Sequence, residues 1–323
     1  MHLGATNNNS YALNSMGYFF TLPLIIEGYN YALNIDTGSS DIFIKGAGTT
    51  GNPKYKYSCS SCVYNNQQFY LSYIDGSLQT YEIELGVNFG IHNFREHILV
   101  AYTAPHNFYK AQGVVGLSYP SLAVSPYPNF IQNLINLNII SRYAFGLSLN
   151  FQNNYTSFIN FGVPDSNLFY GVLHKVKLNG NGVYTIALDT VSFGTGPDLA
   201  MFRAILDSGN TCMTFPSVFE PIIESTFNVT GVNACAFQKE PFAPSFKLLR
   251  CKITNFSILP TVNIIINGNK YSVDKNAYFQ RCVQSGNISF CDTYIESINF
   301  GNDVFLGDGF FIQYYTFFDL QNN

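Results

Sequence analysis

Tryptophan is missing altogether and charge is scarce: 16 Lys and Arg stand against 20 Asp and Glu in 323 residues, a formal net charge of −4. No basic cluster is available to neutralise a phosphate backbone, which sets nucleic acid aside as a partner. No apolar run approaches the roughly 18 residues that cross a bilayer as a helix; the greasiest stretch, Tyr18 to Ile26, is broken by Pro23. Histidine is sparse too. His2, His92, His97, His106 and His174 show neither metal-ligand nor triad spacing, so no metal and no cofactor is expected and all five read as structural or solvated. A nucleophile elbow needs G-x-S-x-G, and the chain has none. The missing Trp, with abundant Asn and 16% aromatic residues, reads as a bias in residue usage and carries no function.

What is present excludes disorder. A hydrophobic fraction of 47% against 11% charged supports a sizeable core, and the length allows one large unit or two lobes. β-prone runs recur at Tyr18–Ile26, Tyr31–Ile35, Asp41–Ile44, Gln68–Tyr73, Thr80–Leu85, Ile98–Tyr102, Phe145–Leu149, Ser157–Phe161, Val183–Leu188, Ala204–Leu206, Thr261–Ile266 and Phe310–Phe318. Gly, Asn or Pro punctuate most of them. Helical spacing is confined to Phe130, Leu134 and Leu137, and to the i, i+4 pairs Val218/Ile222 and Phe219/Ile223. The chain reads as mostly β with a few short helices.

Seven cysteines and five Asn-x-Ser/Thr sequons, at Asn8, Asn154, Asn228, Asn255 and Asn287, point to a glycoprotein of an oxidising compartment. Cys59 and Cys62 read as a small disulfide loop rather than half of a zinc site. Cys235, Cys251, Cys282 and Cys291 allow two bridges, which leaves Cys212 as a buried, inert thiol. No leader opens the chain, which reads as a processed or trimmed form.

The stretch NIDTGSS, residues 34–40, is on its own ordinary turn chemistry: Asp bonds nearby backbone and Gly tolerates positive φ. Its restatement changes that reading. AILDSGNT, residues 204–211, repeats the order apolar strand, Asp, hydroxyl residue, Gly, two small polar residues. Val114-Val115-Gly116 follows the first copy and Phe305-Leu306-Gly307 the second, each late in its half. The repetition implies a duplicated lobe. Two carboxylates brought face to face, Asp36 and Asp207, would share one proton. The ionised member would take a proton from water and the other would protonate a scissile carbonyl. Thr37 and Ser208 can tie the turns together, Gly38 and Gly209 admit close backbone, and Ser39 can donate to a carboxylate.

With Tyr18-Phe19 ahead of the first motif, YIDGS at residues 73–77, GVVGLSYP at 113–120 and FLGDGFFIQYY at 305–315, the chain resembles the pepsin-like (A1) eukaryotic aspartic proteases over nearly its whole length. The resemblance implies a bilobal fold, with residues 1–165 carrying the first Asp and a flap, and residues 166–323 carrying the second Asp and lacking the family's last strand. It implies a monomeric endopeptidase working in acid, Tyr73, Asp75 and Gly76 in the flap, and a peptide or protein substrate bound as an extended strand. Pepstatin-like compounds would inhibit it, and secretion or an acidic vacuole or lysosome would be its location. For Asp75 an ordinary turn Asp accounts for the residue nearly as well. Cys59–Cys62 and Cys251–Cys291 are the bridges the resemblance implies, which leaves Cys235 to Cys282. Two departures stand out: Phe43 replaces a hydrogen-bonding Trp, and Asn210 replaces a Ser or Thr. They keep open the alternative of a weak or silent relative that only binds peptides.

Overall fold

The computed structural model describes residues 9–46, 64–73, 76–102, 111–151, 156–180, 182–200, 203–241, 243–299 and 301–321. Cys59, Cys62 and Asp75 lie outside them. The chain divides into two units, the first made of residues 1–170, 181–183 and 315–323, the second of 171–180 and 184–314.

Period-two burial builds the first unit. Along Tyr29–Asp36, Tyr31, Leu33 and Ile35 are buried at every second position. Among the described residues eleven strands form one sheet, in the order Thr316–Asp319, Ala144–Ser148, Ser157–Phe161, Ser10–Ser15, Phe20–Ile26, Tyr29–Asp36, Gly113–Gly116, Ile42–Lys45, His92–Ala101, Gly76–Phe89, Tyr64–Tyr73. Aromatic rings fill the space beneath it. Tyr11 stacks on Phe89 at 4.0 Å, and Phe130 meets Phe89 edge-on at 5.4 Å. Phe130 belongs to the expected helix, Phe130–Asn136, whose first turn is capped by the Asn129 side chain accepting from the Gln132 N–H.

Among the described residues the second unit holds two sheets. The larger runs Thr185–Ala187, Arg203–Leu206, Val304–Leu306, Met213–Pro216, Ile288–Ile298, Ala243–Ile253, Asn233–Glu240, with Phe279–Ser285 also paired to Ile288–Ile298. The smaller joins Leu199–Ala200, Thr190–Phe193, Val262–Ile266 and Asn269–Val273.

Three expectations are corrected. The division at 165/166 fails at the end of the chain: residues 315–323 join the first unit, because Thr316–Asp319 pairs antiparallel with Ala144–Ser148 and Phe318 stacks on Phe145 at 4.8 Å. The expected single strand Phe310–Phe318 is split, since a helical turn at Asp308–Phe311 buries Phe310 and Phe311 before Thr316–Asp319 begins. The bridges are Cys235–Cys251 and Cys282–Cys291, not Cys251–Cys291 and Cys235–Cys282. Each observed bridge joins residues directly opposite in a hairpin, whereas Cys235 and Cys282 lie on the two outer strands of four. Cys212 is free and buried, as expected.

Glu96, on His92–Ala101, is only 1% exposed and accepts from Asn133 Nδ2 at 3.0 Å. Burial pushes its carboxyl up to about 8, against partial relief from Asn133 and the His97 backbone. The sign follows directly. The folded chain holds a proton here that the unfolded chain releases, so this stabilisation is complete below the ordinary carboxylate range and is lost as pH rises through about 8. At about 1.4 kcal/mol per unit, the effect is on the order of several kcal/mol. Glu96→Gln, which imitates the protonated side chain, should leave the melting temperature at pH 4 unchanged and raise it by several degrees at pH 8. Equal melting curves for the two proteins at pH 8 would count against this linkage.

Candidate functional site

The first Asp-Thr-Gly turn is held by a strand threaded through it. Gly113–Gly116 runs parallel to Tyr29–Asp36, with Asp36 opposite Gly116, and antiparallel to Ile42–Lys45. The N–H of Leu117 donates to the Asp36 carbonyl at 2.8 Å, that of Gly116 to Asp41 at 3.0 Å and that of Ser118 to Ser39 at 2.9 Å. Any side chain at Gly116 would meet the Ser40 carbonyl carbon at 2.4 Å and the Asp41 nitrogen at 2.7 Å, so only glycine lets the strand pass. Within the turn, the Gly38 N–H donates to Asp36 Oδ1 at 2.8 Å and the Ser39 hydroxyl donates to Asp36 Oδ2. Asp36 is 6% exposed and Thr37 is fully buried.

The second turn repeats this construction in the other unit. Arg203–Leu206 runs parallel to Val304–Leu306, which pairs antiparallel with Met213–Pro216. Asp207 N–H donates to the Leu306 carbonyl at 3.1 Å, Asp308 N–H to Asn210 at 2.9 Å, and Gly209 N–H to Asp207 Oδ1 at 2.9 Å. A side chain at Gly307 would meet the carbonyl oxygens of Asn210 at 2.1 Å and Cys212 at 2.3 Å. Ser208 is buried like Thr37.

Two of the differences between the copies bear on their carboxylates. The Asn210 amide donates to Thr214 Oγ1 at 2.9 Å, and its Oδ1 accepts from Cys212 N–H at 3.3 Å. Asn210 thus stiffens its own turn, where Ser39 reaches the carboxylate. Leu117 follows the first glycine and Asp308 the second, both buried completely. Among the described residues neither carboxylate oxygen of Asp308 has a hydrogen-bonding partner. Burial first, and then the charge of Asp207, push its carboxyl well above the ordinary range, which keeps it protonated in acid. Sequence reading gave Asp308 no role; its only signal was an acid inside a conserved-order apolar-apolar-Gly segment, where an apolar residue stands in the first copy.

Tyr73 closes on the first turn. Its ring packs on Phe43 at 6.0 Å over a cluster of Phe69, Leu71, Leu78, Leu99 and Val114. Burial, and then the charges of Asp36 and Asp41, push its phenol well above its ordinary value, with the Ser39 hydroxyl beside it acting the other way. Phe43 therefore supports the tyrosine by packing alone. Tyr73 lies opposite Gly76 at the end of the hairpin, and Gly76 has φ 141°, a conformation that only glycine adopts without strain. Asp41 anchors the segment beyond the threaded strand: its buried carboxylate accepts from Val124 N–H and Ser125 N–H, both at 3.0 Å.

A carboxylate at the end of a strand, fixed by a threaded Gly strand, is built once in each unit, and that repetition defines a class of protein. Comparison with known proteins gives that class its family. A family profile described as eukaryotic aspartyl protease matches residues 18–323. Cathepsin E of Oryctolagus cuniculus is 27% identical over 95% of this chain and 79% of its own length. Pepsin A of Rhinolophus ferrumequinum is 27% identical over 95% and 80%, and gastricsin of Callithrix jacchus 26% over 95% and 79%. The chain belongs to the eukaryotic aspartyl protease family.

The threading glycines admit a direct test. Gly116→Ala and Gly307→Ala should each cost about 3 kcal/mol or more, because backbone cannot yield to a methyl group. Gly182→Ala, whose Cβ would meet only Leu122 Cδ2 at 3.8 Å, should stay within about 0.5 kcal/mol. Chemical unfolding measures all three, and similar midpoints for the three variants would remove the threading argument.

Proposed function

We propose that the protein is an aspartic endopeptidase in which Asp36 and Asp207 act together on one water, hydrolysing peptide bonds in acid. The observation that carries this reading is the repetition of one turn geometry: in each unit an Asp Oδ1 accepts from the Gly N–H two residues on, behind a threaded apolar-apolar-Gly strand. A pair of carboxylates serving one reaction holds one proton between them. The ionised member takes a proton from water as it attacks, and the protonated member donates to the carbonyl oxygen of the substrate. Hydrogen bonds from Gly38 and Ser39 favour negative charge at Asp36. No covalent intermediate and no cofactor is needed.

The substrate class is a peptide or protein segment lying extended, with Tyr73 and Gly76 covering it. Pepstatin-like transition-state analogues would occupy the same place. Action as a monomer in the secretory pathway, secreted or in an acidic vacuole or lysosome, fits the two disulfides of the second unit. Acid operation is supported by the buried carboxyls of Glu96, Asp41 and Asp308, each raised first by its burial. One observation favours the second reading, a weak or silent peptide binder: the Asn210 amide is directed to Thr214.

Hydrolysis of a quenched peptide from pH 3 to 7 tests the reading. We expect a pepstatin-sensitive, acid-limited profile that Asp36→Asn or Asp207→Asn reduces by at least about a thousandfold. Absence of pepstatin-sensitive cleavage throughout that range would leave the binding reading. Ser39→Ala removes a donor to the ionised form, so the acid limb should move to higher pH. Asn210→Ala, which removes no such donor, should move that limb less.

A further inference from the structure

Four of the five cysteines of the second unit stand in one row. Cys235 is directly opposite Cys251, Cys251 opposite Cys291, and Cys291 opposite Cys282, across the neighbouring strands Asn233–Glu240, Ala243–Ile253, Ile288–Ile298 and Phe279–Ser285. All three pairings are antiparallel, and residues directly opposite on adjacent strands project from the same face. The four sulfurs therefore share a face along the direction perpendicular to the strands. Two bridges occupy the outer steps, Cys235–Cys251 and Cys282–Cys291. The middle step, Cys251 to Cys291, also joins register partners; because the bonded pairs, with Cα atoms 4.0 and 4.1 Å apart, are of the close non-hydrogen-bonded kind, it is of the wider hydrogen-bonded kind. Cys235, Cys251 and Cys291 are each 3% exposed, whereas Cys282 on the outer strand is exposed.

We propose that this row is a thiol–disulfide exchange site, opened by a dithiol reductant at Cys282, in which the bond moves to the Cys251–Cys291 step. A reductant thiolate attacks the exposed Cys282 Sγ and breaks the Cys282–Cys291 bond, and Cys291 leaves as a thiolate. The second thiol of the reductant displaces Cys282, which completes a two-electron reduction and leaves the reductant as its disulfide. The Cys291 thiolate then attacks Cys251 Sγ, forming Cys251–Cys291 and expelling Cys235. This last step is redox-neutral. The two protons of the reductant end on Cys282 and Cys235. In exchange the attacking, central and leaving sulfurs approach a line, and a row of register partners supplies that order: Cys291, Cys251, Cys235.

The consequence is mechanical. In the oxidised chain each bridge closes a single hairpin, with sequence separations of 16 and 9, and the two hairpins are joined across the middle by strand pairing and by side-chain contacts such as Arg250 with Asp292. After two-electron reduction one bond ties hairpin to hairpin and closes a longer span, which restrains the unfolded chain more than either hairpin bridge does by itself, though less than the two together. Cys212 takes no part, being buried with its thiol pushed well up by that burial and then by Glu296.

The test is to treat the whole protein with one equivalent of dithiothreitol, quench with acid, alkylate, digest and map the bridges by mass spectrometry. Expected is a majority of single-bridge molecules with Cys251 joined to Cys291 and with Cys235 and Cys282 alkylated. Single-bridge molecules holding only Cys235–Cys251 or Cys282–Cys291 would overturn the proposal. Cys235→Ser gives a second readout without reductant: the free thiol of the row should be trapped by a maleimide at Cys282, and trapping at Cys251 beside an intact Cys282–Cys291 bridge would overturn it equally. The wild-type mapping stands whether or not that variant folds.

Discussion

Everything at the candidate site depends on a backbone passing where no side chain fits. Gly116 lies against Ser40 and Asp41, and Gly307 against the carbonyls of Asn210 and Cys212, at separations that exclude even a methyl group. That contact lets one strand hydrogen-bond on both sides, parallel to the strand that ends in the aspartate and antiparallel to the strand that leaves it. The turn between them is left with little freedom, so its N–H groups stay aimed at a carboxylate that water would otherwise solvate. Orientation of this kind is fixed during folding and needs no reorganisation when charge develops. The rest of each unit serves to keep those strands in register.

Burial of acids is the second theme. Asp41, Glu96 and Asp308 are inside the protein, and for each of them loss of water is the largest influence on the proton. They do different work. Asp41 gathers two backbone N–H groups of the 124–125 segment, Glu96 joins the Phe130–Asn136 helix through Asn133, and Asp308 stands next to the second turn. All three shifts have one sign, so the folded state takes up protons relative to the unfolded chain as pH falls from neutrality into the acid range. The proposed pair, which would hold one proton, and a scaffold that prefers its carboxyls neutral therefore favour the same conditions.

How much of this was legible in the sequence follows from where side chains report on structure. The first-unit strands around Asp36 were readable because they alternate or are wholly apolar, and the helix at Phe130 because its spacing and its Asn cap agree. The hairpins at 233–253 and 279–298 were not, since their outward positions carry Lys252, Arg250 and Arg281, and a sheet wetted on one face dilutes the apolar signal. The run Phe310–Phe318 looked like one strand because aromatics favour strands, yet Phe310 and Phe311 are buried by a helical turn that begins at Gly307. Disulfide pairing was out of reach for another reason. Spacing cannot choose among register partners, and here three neighbouring steps of one row all join such partners.

Duplication made the two turns recognisable, and their divergence gives each a distinct chemistry. In the first, Ser39 donates to the carboxylate and stands beside the Tyr73 phenol, within a wall that Phe43 supports by packing. In the second, the position of Ser39 is filled by an amide turned to Thr214, and the position of Leu117 by a buried acid influenced by Asp207. Thr214 in turn donates to Glu296 at 3.1 Å, so the amide is part of a polar chain leading away from the turn. Donors gathered around one aspartate stabilise charge there, and an acid beside the other opposes charge there. Backbone geometry is common to both copies, while the electrostatic setting is not. Under the proposed reading, the donors at Asp36 favour the ionised member of the pair and Asp308 favours the protonated one, a bias added to the proton-sharing that paired carboxylates have by themselves.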